Sequence, residues 1–299
     1  MAGLRRERFL TFVRTLMKRP KNFSILLPVA LLLCLQICLA GLFFRDEYYL
    51  SGTMNTIADS KLPPSEQTLK ILEYLKDLPI ESNESYFLTP AFRFLRATPR
   101  QIAEEGGDCA DRSRLVIALL QTRGIYASKW ALYSPKLHPA HAVVEVYTEQ
   151  GKMAVDPLFG LWFPRPQGGY YSVEDLRKHG EILRQRVRYL QEHHLRPGAA
   201  DLNGYPLNTY IYGLARSINW DKSAVPYMIY RGLHAIIGDR ANHLPRPEWV
   251  ETPALVLIVC IGILQAFFLF VWVLRFFWKM RAAPRFLGVP FPLRKASRT

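Results

Sequence analysis

Two stretches of this chain are too apolar for the surface of a soluble domain, and they dictate how the rest can be arranged. Phe23 to Phe44 runs for 22 residues without a charge, and Ala254 to Leu274 runs for 21 more. At ~1.5 Å per helical residue, each is long enough to cross a hydrocarbon layer ~30 Å thick. Both are predicted to be transmembrane helices, 23–44 and 254–274. A cleaved signal peptide is the alternative for the first. Against it stand a run longer than the ~7–15 apolar residues of such a signal and the lack of an A-x-A site after it. Cys34 and Cys38 also lack the small preceding residue that lipoprotein processing requires.

The formal charge of +14 would fit a nucleic-acid binder if it were spread over the folded part. It is not. Residues 1–22 carry seven Lys or Arg against Glu7, and residues 275–299 carry seven with no acid, so almost all of the excess lies in the two tails. Short basic tails stay on the cytoplasmic side. Both ends are therefore expected in the cytoplasm and residues 45–252 across the membrane, which in a bacterium is the periplasm. The lipid bilayer is the first expected partner, and no nucleic acid is expected. In the N-terminal tail, Phe9, Phe12, Val13, Leu16 and Met17 fall at helical spacing among basic residues. This predicts an amphipathic helix on the inner leaflet, with a disordered basic tail as the alternative.

Cys34, Cys38 and Cys260 lie in the predicted spans, so Cys109 is the one cysteine of the exported domain. An unpaired thiol in an oxidising compartment is a chemical liability, which favours use over packing, although a buried free cysteine can be inert.

Local patterns give the exported domain an outline. Residues 45–62 read as a short polar link. A helix with Leu69, Ile71, Leu72, Leu75 and Leu78 on its apolar face starts near Ser65. Thr98-Pro99-Arg100-Gln101 has the form of a capping box with proline at the first helical position. That brief helix ends at Gly106-Gly107, which also permit another chain to approach closely. Asp108 then caps a helix whose body, Leu115 to Leu120, is apolar and hence buried. Gly124 is placed to end it. Strands are predicted at 126–133, 140–147 and 152–156, with a turn around 148–151. Ser172 caps a long charged helix to about His194, and prolines from Pro197 onward break the pattern. The aromatic-rich segment 205–238 is ambiguous, with a helix lining a cleft or the membrane surface as one reading. His243 to Pro253 reads as the return linker, with Trp249 at the lipid interface. The expected fold class is α+β: a central helix packed on an antiparallel sheet, flanked by two transmembrane helices.

Asp108 as cap puts Cys109 in the first helical turn, where free N–H groups and the helix dipole favour negative charge on sulfur. The alternative is a small residue packing at a helix start. A hairpin centred between Thr148 and Glu149 sets His141 opposite Asp156 on one face, with Glu145 opposite Lys152, Val144 opposite Met153 and Ala142 opposite Val155. In that arrangement Asp156 orients the His141 ring and leaves its other nitrogen for the thiol. His138, three residues before His141, is the competing base, but it precedes Pro139 outside the paired strand. Asp108 and Asp111 read as cap and first-turn charges. Trp130 is a candidate second oxyanion donor beside backbone N–H groups near Cys109. His193-His194 lacks converging partners for a metal. Arg184, Arg186 and Arg188 are expected to face water, with anionic glycan binding as the weaker reading. No metal or cofactor is expected.

The run Gly107-Asp108-Cys109-Ala110-Asp111, with Leu115, Leu119-Leu120 and Gly124-Ile125 behind it, is followed by His141-Ala142, Glu145-Val146, Asp156-Pro157 and Gly160. Over these ~55 residues, 106–160, the chain resembles the transglutaminase-like superfamily of papain-type thiol enzymes, as a bacterial membrane-anchored member. One departure is Val143, where many members carry an aromatic residue. The resemblance implies Cys109 as nucleophile, His141 as general base and acid, and Asp156 as orienting group. It implies an acyl-enzyme, then transfer or hydrolysis of an amide or acyl group on an envelope peptide, protein or glycan. The alternative function is a non-catalytic scaffold of an envelope or polysaccharide assembly system, binding membrane-protein partners through its aromatic segment.

Overall fold

The apolar run at Phe23 belongs to a helix longer than the uncharged stretch. In the computed structural model, which describes residues 20–80, 87, 95–134, 136, 138–205, 212–218, 220, 224–244 and 246–282, helix α1 spans Pro20–Ile57. The expected N-terminal amphipathic helix and the basic tail beyond Ala282 fall outside the described residues. Residues 45–57 are not the polar link expected of them. Leu50 and Met54 supply apolar positions on the continuing helix and are buried in the domain core, so the helix persists past the last apolar residue of the predicted span. A second long helix, which will be α8, spans Pro253–Ala282. Both are long and apolar enough to cross a membrane.

The described chain divides into two compact units, one of residues 40–256 and one of the flanking helical segments up to Leu39 and from Leu257. In the flanking unit most large apolar side chains face outward, as a lipid solvent requires, including Leu31, Ile37, Ile263 and Phe267. Gln36 donates its side-chain N–H to the Ile258 carbonyl at 3.1 Å, so this polar side chain is satisfied within the pair.

Residues 40–256 form an α+β unit. Helices α2 (Pro64–Lys76), α3 (Pro99–Glu105) and α4 (Cys109–Gln121) precede strands β1 (Ala127–Tyr133), β2 (Pro139–Thr148), β3 (Gly151–Asp156) and β4 (Leu161–Trp162). The four strands make one antiparallel sheet in the order β1-β2-β3-β4. Helices α5 (Val173–Lys178), α6 (Gly180–Glu192) and α7 (Ala224–Ile237) follow. The capping box at Thr98 forms as expected, its hydroxyl accepting the Gln101 N–H while the Gln101 side chain accepts the Thr98 N–H.

Alternation along β2 and β3 feeds two cores. Val144, Val146, Met153 and Val155 pack with Leu115, Val116, Leu119 and Leu120 of α4. Val143 and Ala154 point the other way, into a second core with Leu176, Leu183, Val187 and Leu190 of α5 and α6. Coverage of both faces explains why β2 is buried from His141 to Val146.

Three expectations need correction. The β2–β3 hairpin pairs Thr148 with Gly151 and Val144 with Val155, two residues away from the predicted register. Glu149-Gln150 is the turn, with Gly151 at φ +103° supplying the left-handed backbone. A slip of two keeps every side chain on its face, and the Lys152–Glu145 ion pair survives as a diagonal contact at 2.9 Å. The long helix from Ser172 is two helices, because His179 takes a non-helical conformation just before Gly180. Arg184 and Arg188 are exposed, but Arg186 is half-buried. Its guanidinium lies 4.6 Å from the Trp162 ring centre, and its Nε donates to the Trp162 carbonyl.

Candidate active site

The site begins with a helix start. Asp108 is in extended conformation, and its Oδ1 accepts the N–H groups of Ala110 at 2.8 Å and Asp111 at 2.9 Å. Cys109 thereby becomes the first residue of α4, half-buried and free of any disulfide. Burial pushes the Asp108 carboxyl up, but the Asp111 N–H, the Arg96 guanidinium and the Ala110 N–H together hold it below its ordinary range. It remains a charged cap.

A side chain absent from the sequence reading holds this start in place. Arg112 is fully buried, and its guanidinium donates to the carbonyls of Gly107 at 2.9 Å, Leu78 at 2.6 Å, Pro79 at 2.8 Å and Leu75. It ties the C-terminal end of α2 to the loop that delivers Cys109. The close approach expected at the glycine pair is there: a Cβ on Gly106 would lie 2.2 Å from the Pro79 carbonyl oxygen.

The sheet brings the other two groups. His141 lies near the start of β2, opposite Leu132 of β1, where the register shifts after Leu132. Asp156 is the last residue of β3 and is fully buried. Its Oδ1 accepts the N–H groups of Leu158 and Phe159 at 3.1 and 3.2 Å, which fixes the carboxylate. Its Oδ2 lies 2.7 Å from His141 Nε2 and accepts from the Tyr205 hydroxyl at 3.5 Å. The edge of the His141 ring meets Phe159, with centroids 5.7 Å apart. His141 and Asp156 thus meet, though not as directly opposed residues.

With Nε2 on Asp156, Nδ1 is left for the thiol of Cys109, which lines the same cleft as His141. Burial pulls the imidazole down, but the Asp156 charge, the hydrogen bonds to Asp156 and Cys109 and the Cys109 charge outweigh it and raise it to about 10. A cleft of about 610 Å³ opens beside Cys109 and His141, bounded by Ala131, Ala142, Pro226 and Val250.

The chain matches no family model, no curated protein and no solved structure.

The structure brings His141 onto Asp156 and places Cys109 and His141 on one cleft, an order of thiol, imidazole and carboxylate. Such a relay can generate a nucleophile, hold an imidazolium and return its proton to a leaving group. His138 is exposed ahead of the strand and does not line the cleft. Trp130 does not line it either. Its ring packs on the second core and sits 5.8 Å from the His243 ring, so it is not positioned as an oxyanion donor. His193 and His194 lie at the exposed end of α6, with His193 Nδ1 on the Tyr189 carbonyl at 2.7 Å.

The largest surprise is the segment read as a return linker. Trp249 is exposed, but Glu251 is buried and gathers Lys129 of β1 at 2.7 Å, the Arg246 guanidinium and, through its backbone carbonyl at 3.0 and 3.2 Å, the Arg114 guanidinium of α4. Burial raises the Glu251 carboxyl, but Lys129, Arg246 and Arg114 bring it down to about 2. The one signal in the sequence was a lysine on the strand face that α4 covers. Its partner lies 122 residues away, beyond any local pattern.

Proposed function

We propose that the chain is a membrane-anchored thiol enzyme of transglutaminase-like type that forms an acyl-enzyme at Cys109. The observation that carries this reading is the buried Asp156–His141 contact at 2.7 Å, with Cys109 at the start of α4 lining the same cleft as that ring. A scaffold has no need to bury an ion pair behind a half-buried thiol facing a cleft.

In the proposed reaction, Cys109 Sγ bonds to the carbonyl carbon of an amide, and the carbonyl π pair moves onto oxygen. The cap side chain occupies the N–H groups of Ala110 and Asp111, which leaves the Cys109 N–H as the first-turn donor for that oxygen. Collapse expels the amine, which takes its proton from His141 Nδ1, and a thioester remains. His141 then accepts a proton from the incoming acceptor, which attacks the thioester and releases Sγ. Water as acceptor gives hydrolysis, and an amine gives transfer.

The charge distribution of the tails supports cytoplasmic termini and a catalytic unit on the periplasmic side, where an envelope peptide, protein or glycan is the substrate. The test is intact mass spectrometry of the full chain in detergent after incubation with envelope extract. An acyl adduct on Cys109, lost in Cys109→Ala, is the expected result. A Cys109→Ala protein that keeps full biological activity overturns the proposal.

A further inference from the structure

The wall of the cleft beside Cys109 is built from charges that the triad does not use. Arg96, Asp108, Asp111, Arg114, Lys129 and Arg246 all line it, and Glu251 lies behind them. Arg96 bridges Asp108 at 2.9 Å and Asp111 at 3.3 Å, Arg114 reaches Asp111 at 3.5 Å, and Lys129 and Arg246 meet on Glu251. Four cations thus face three carboxylates, but the two signs are not equally presented. The side chains of Asp111 and Glu251 are 1 % and 4 % exposed, whereas those of Arg96, Lys129 and Arg246 are 44 %, 13 % and 19 % exposed. Asp108 is partly exposed, but its Oδ1 is taken by the helix start and its Oδ2 by Arg96. The acids lie behind and the cations reach the cleft.

We propose that the cleft holds an anionic oxygen group of the acyl donor, a carboxylate or phosphate close to the scissile carbonyl, on Lys129, Arg246 and Arg96. A guanidinium has five donors and an ammonium three, so these side chains keep N–H groups for a ligand after serving their carboxylates. Burial pulls Lys129 down to about 8 against the pull of Glu251, which leaves it charged at neutral pH. A second anion at the cleft would offset that desolvation and the excess of cations together. The placement separates tasks: the triad acts on the carbonyl, and the charged wall selects which donor presents it.

This inference rests on Cys109 being the reactive thiol, and one experiment distinguishes the two. The probes are iodoacetate and iodoacetamide, which differ in charge and little in size. They are applied to the full chain in detergent with Cys34, Cys38 and Cys260 replaced by alanine. The expected result is an iodoacetate-to-iodoacetamide rate ratio at least about tenfold above that of a peptide thiol, falling as salt is added. Because the His141 charge contributes to the ratio in every variant, the wall is read from substitutions. Lys129→Met lowers the ratio about threefold or more while Lys129→Arg restores it, and Arg96→Gln, at a side chain 44 % exposed, lowers it in the same direction with melting unchanged. Protection from iodoacetamide by succinate assigns a carboxylate site, and protection by inorganic phosphate assigns a phosphate site. A ratio indifferent to these substitutions, or failure of both anions to protect, overturns the anionic subsite alone. A Cys109 that reacts with neither reagent overturns the catalytic reading and the subsite with it.

Discussion

Replacing Asp156 by asparagine isolates what the carboxylate does to His141. Asparagine keeps an Oδ1 acceptor for the Leu158 and Phe159 N–H groups, so the turn after β3 is preserved. It replaces the charged Oδ2 beside His141 Nε2 with an amide N–H. Two consequences follow. The imidazole, held at about 10 chiefly because Asp156 overcomes burial, falls toward its ordinary value. The imidazolium fraction, nearly complete in the parent, then drops at pH 7 and further at pH 8. The neutral ring, receiving a hydrogen bond at Nε2, carries its proton on Nδ1 and so offers the thiol a donor instead of a base. Cys109 alkylation by iodoacetamide at pH 8, followed by intact mass on the full chain without its other cysteines, is expected to slow at least about tenfold. An Asp156→Asn protein with unchanged melting that alkylates at the parent rate would show that the carboxylate does not govern the His141 charge.

Three further outcomes follow from the same contacts. Because the folded-state value of His141 is raised, its contribution to stability is fully present below pH 6.5 and is lost as pH rises through about 10. The unfolding free energy of the full chain in detergent should therefore fall across that window by at most about 5 kcal/mol, and His141→Gln should flatten the dependence. Arg112→Leu removes the guanidinium donor from the carbonyls of Gly107, Leu75, Leu78 and Pro79, of which Leu75 and Pro79 keep a backbone N–H. A loss of about 3–5 kcal/mol and a Tm lower by roughly 10 °C are expected, with unchanged melting as the contrary result. Gly160 has φ +64°, and a Cβ there would lie 2.2 Å from the Pro197 carbonyl oxygen. Gly160→Ala should cost about 2 kcal/mol or more by thermal melting and slow Cys109 alkylation, since it displaces the turn that holds Asp156.

The parts of this site that were legible in the sequence are those with local causes. A cap is decided within four residues, so Asp108 and the first-turn position of Cys109 were readable, as was the capping box at Thr98. Face alternation survives a slip of two, so His141 and Asp156 were rightly set on one face although the turn at Glu149-Gln150 changed their register. The predicted strand limits fall within a residue of β1, β2 and β3, but the two-residue β4 was too short to leave a periodic signal. What escaped was held by distant partners. Arg112 takes three of its carbonyls from the end of α2 and the residues just after it, more than thirty positions earlier, and Arg114 meets Glu251 137 residues away. A charged residue on a buried helix announces that it needs partners, but not where they are. For the same reason 243–253, rich in proline and polar residues, read as a linker and proved to be a wall of the cleft.

In the proposed reaction Cys109 forms a covalent acyl intermediate with help from His141. The most direct measurement mixes the full chain, with Cys34, Cys38 and Cys260 replaced by alanine, with p-nitrophenyl acetate and follows nitrophenol release while the peptide containing Cys109 is weighed. A burst of about one equivalent per chain and one acetyl group on Cys109 are expected, removable by hydroxylamine as a thioester, absent in Cys109→Ala and strongly slowed in His141→Gln. Release without a burst, or a burst that survives Cys109→Ala, would contradict it.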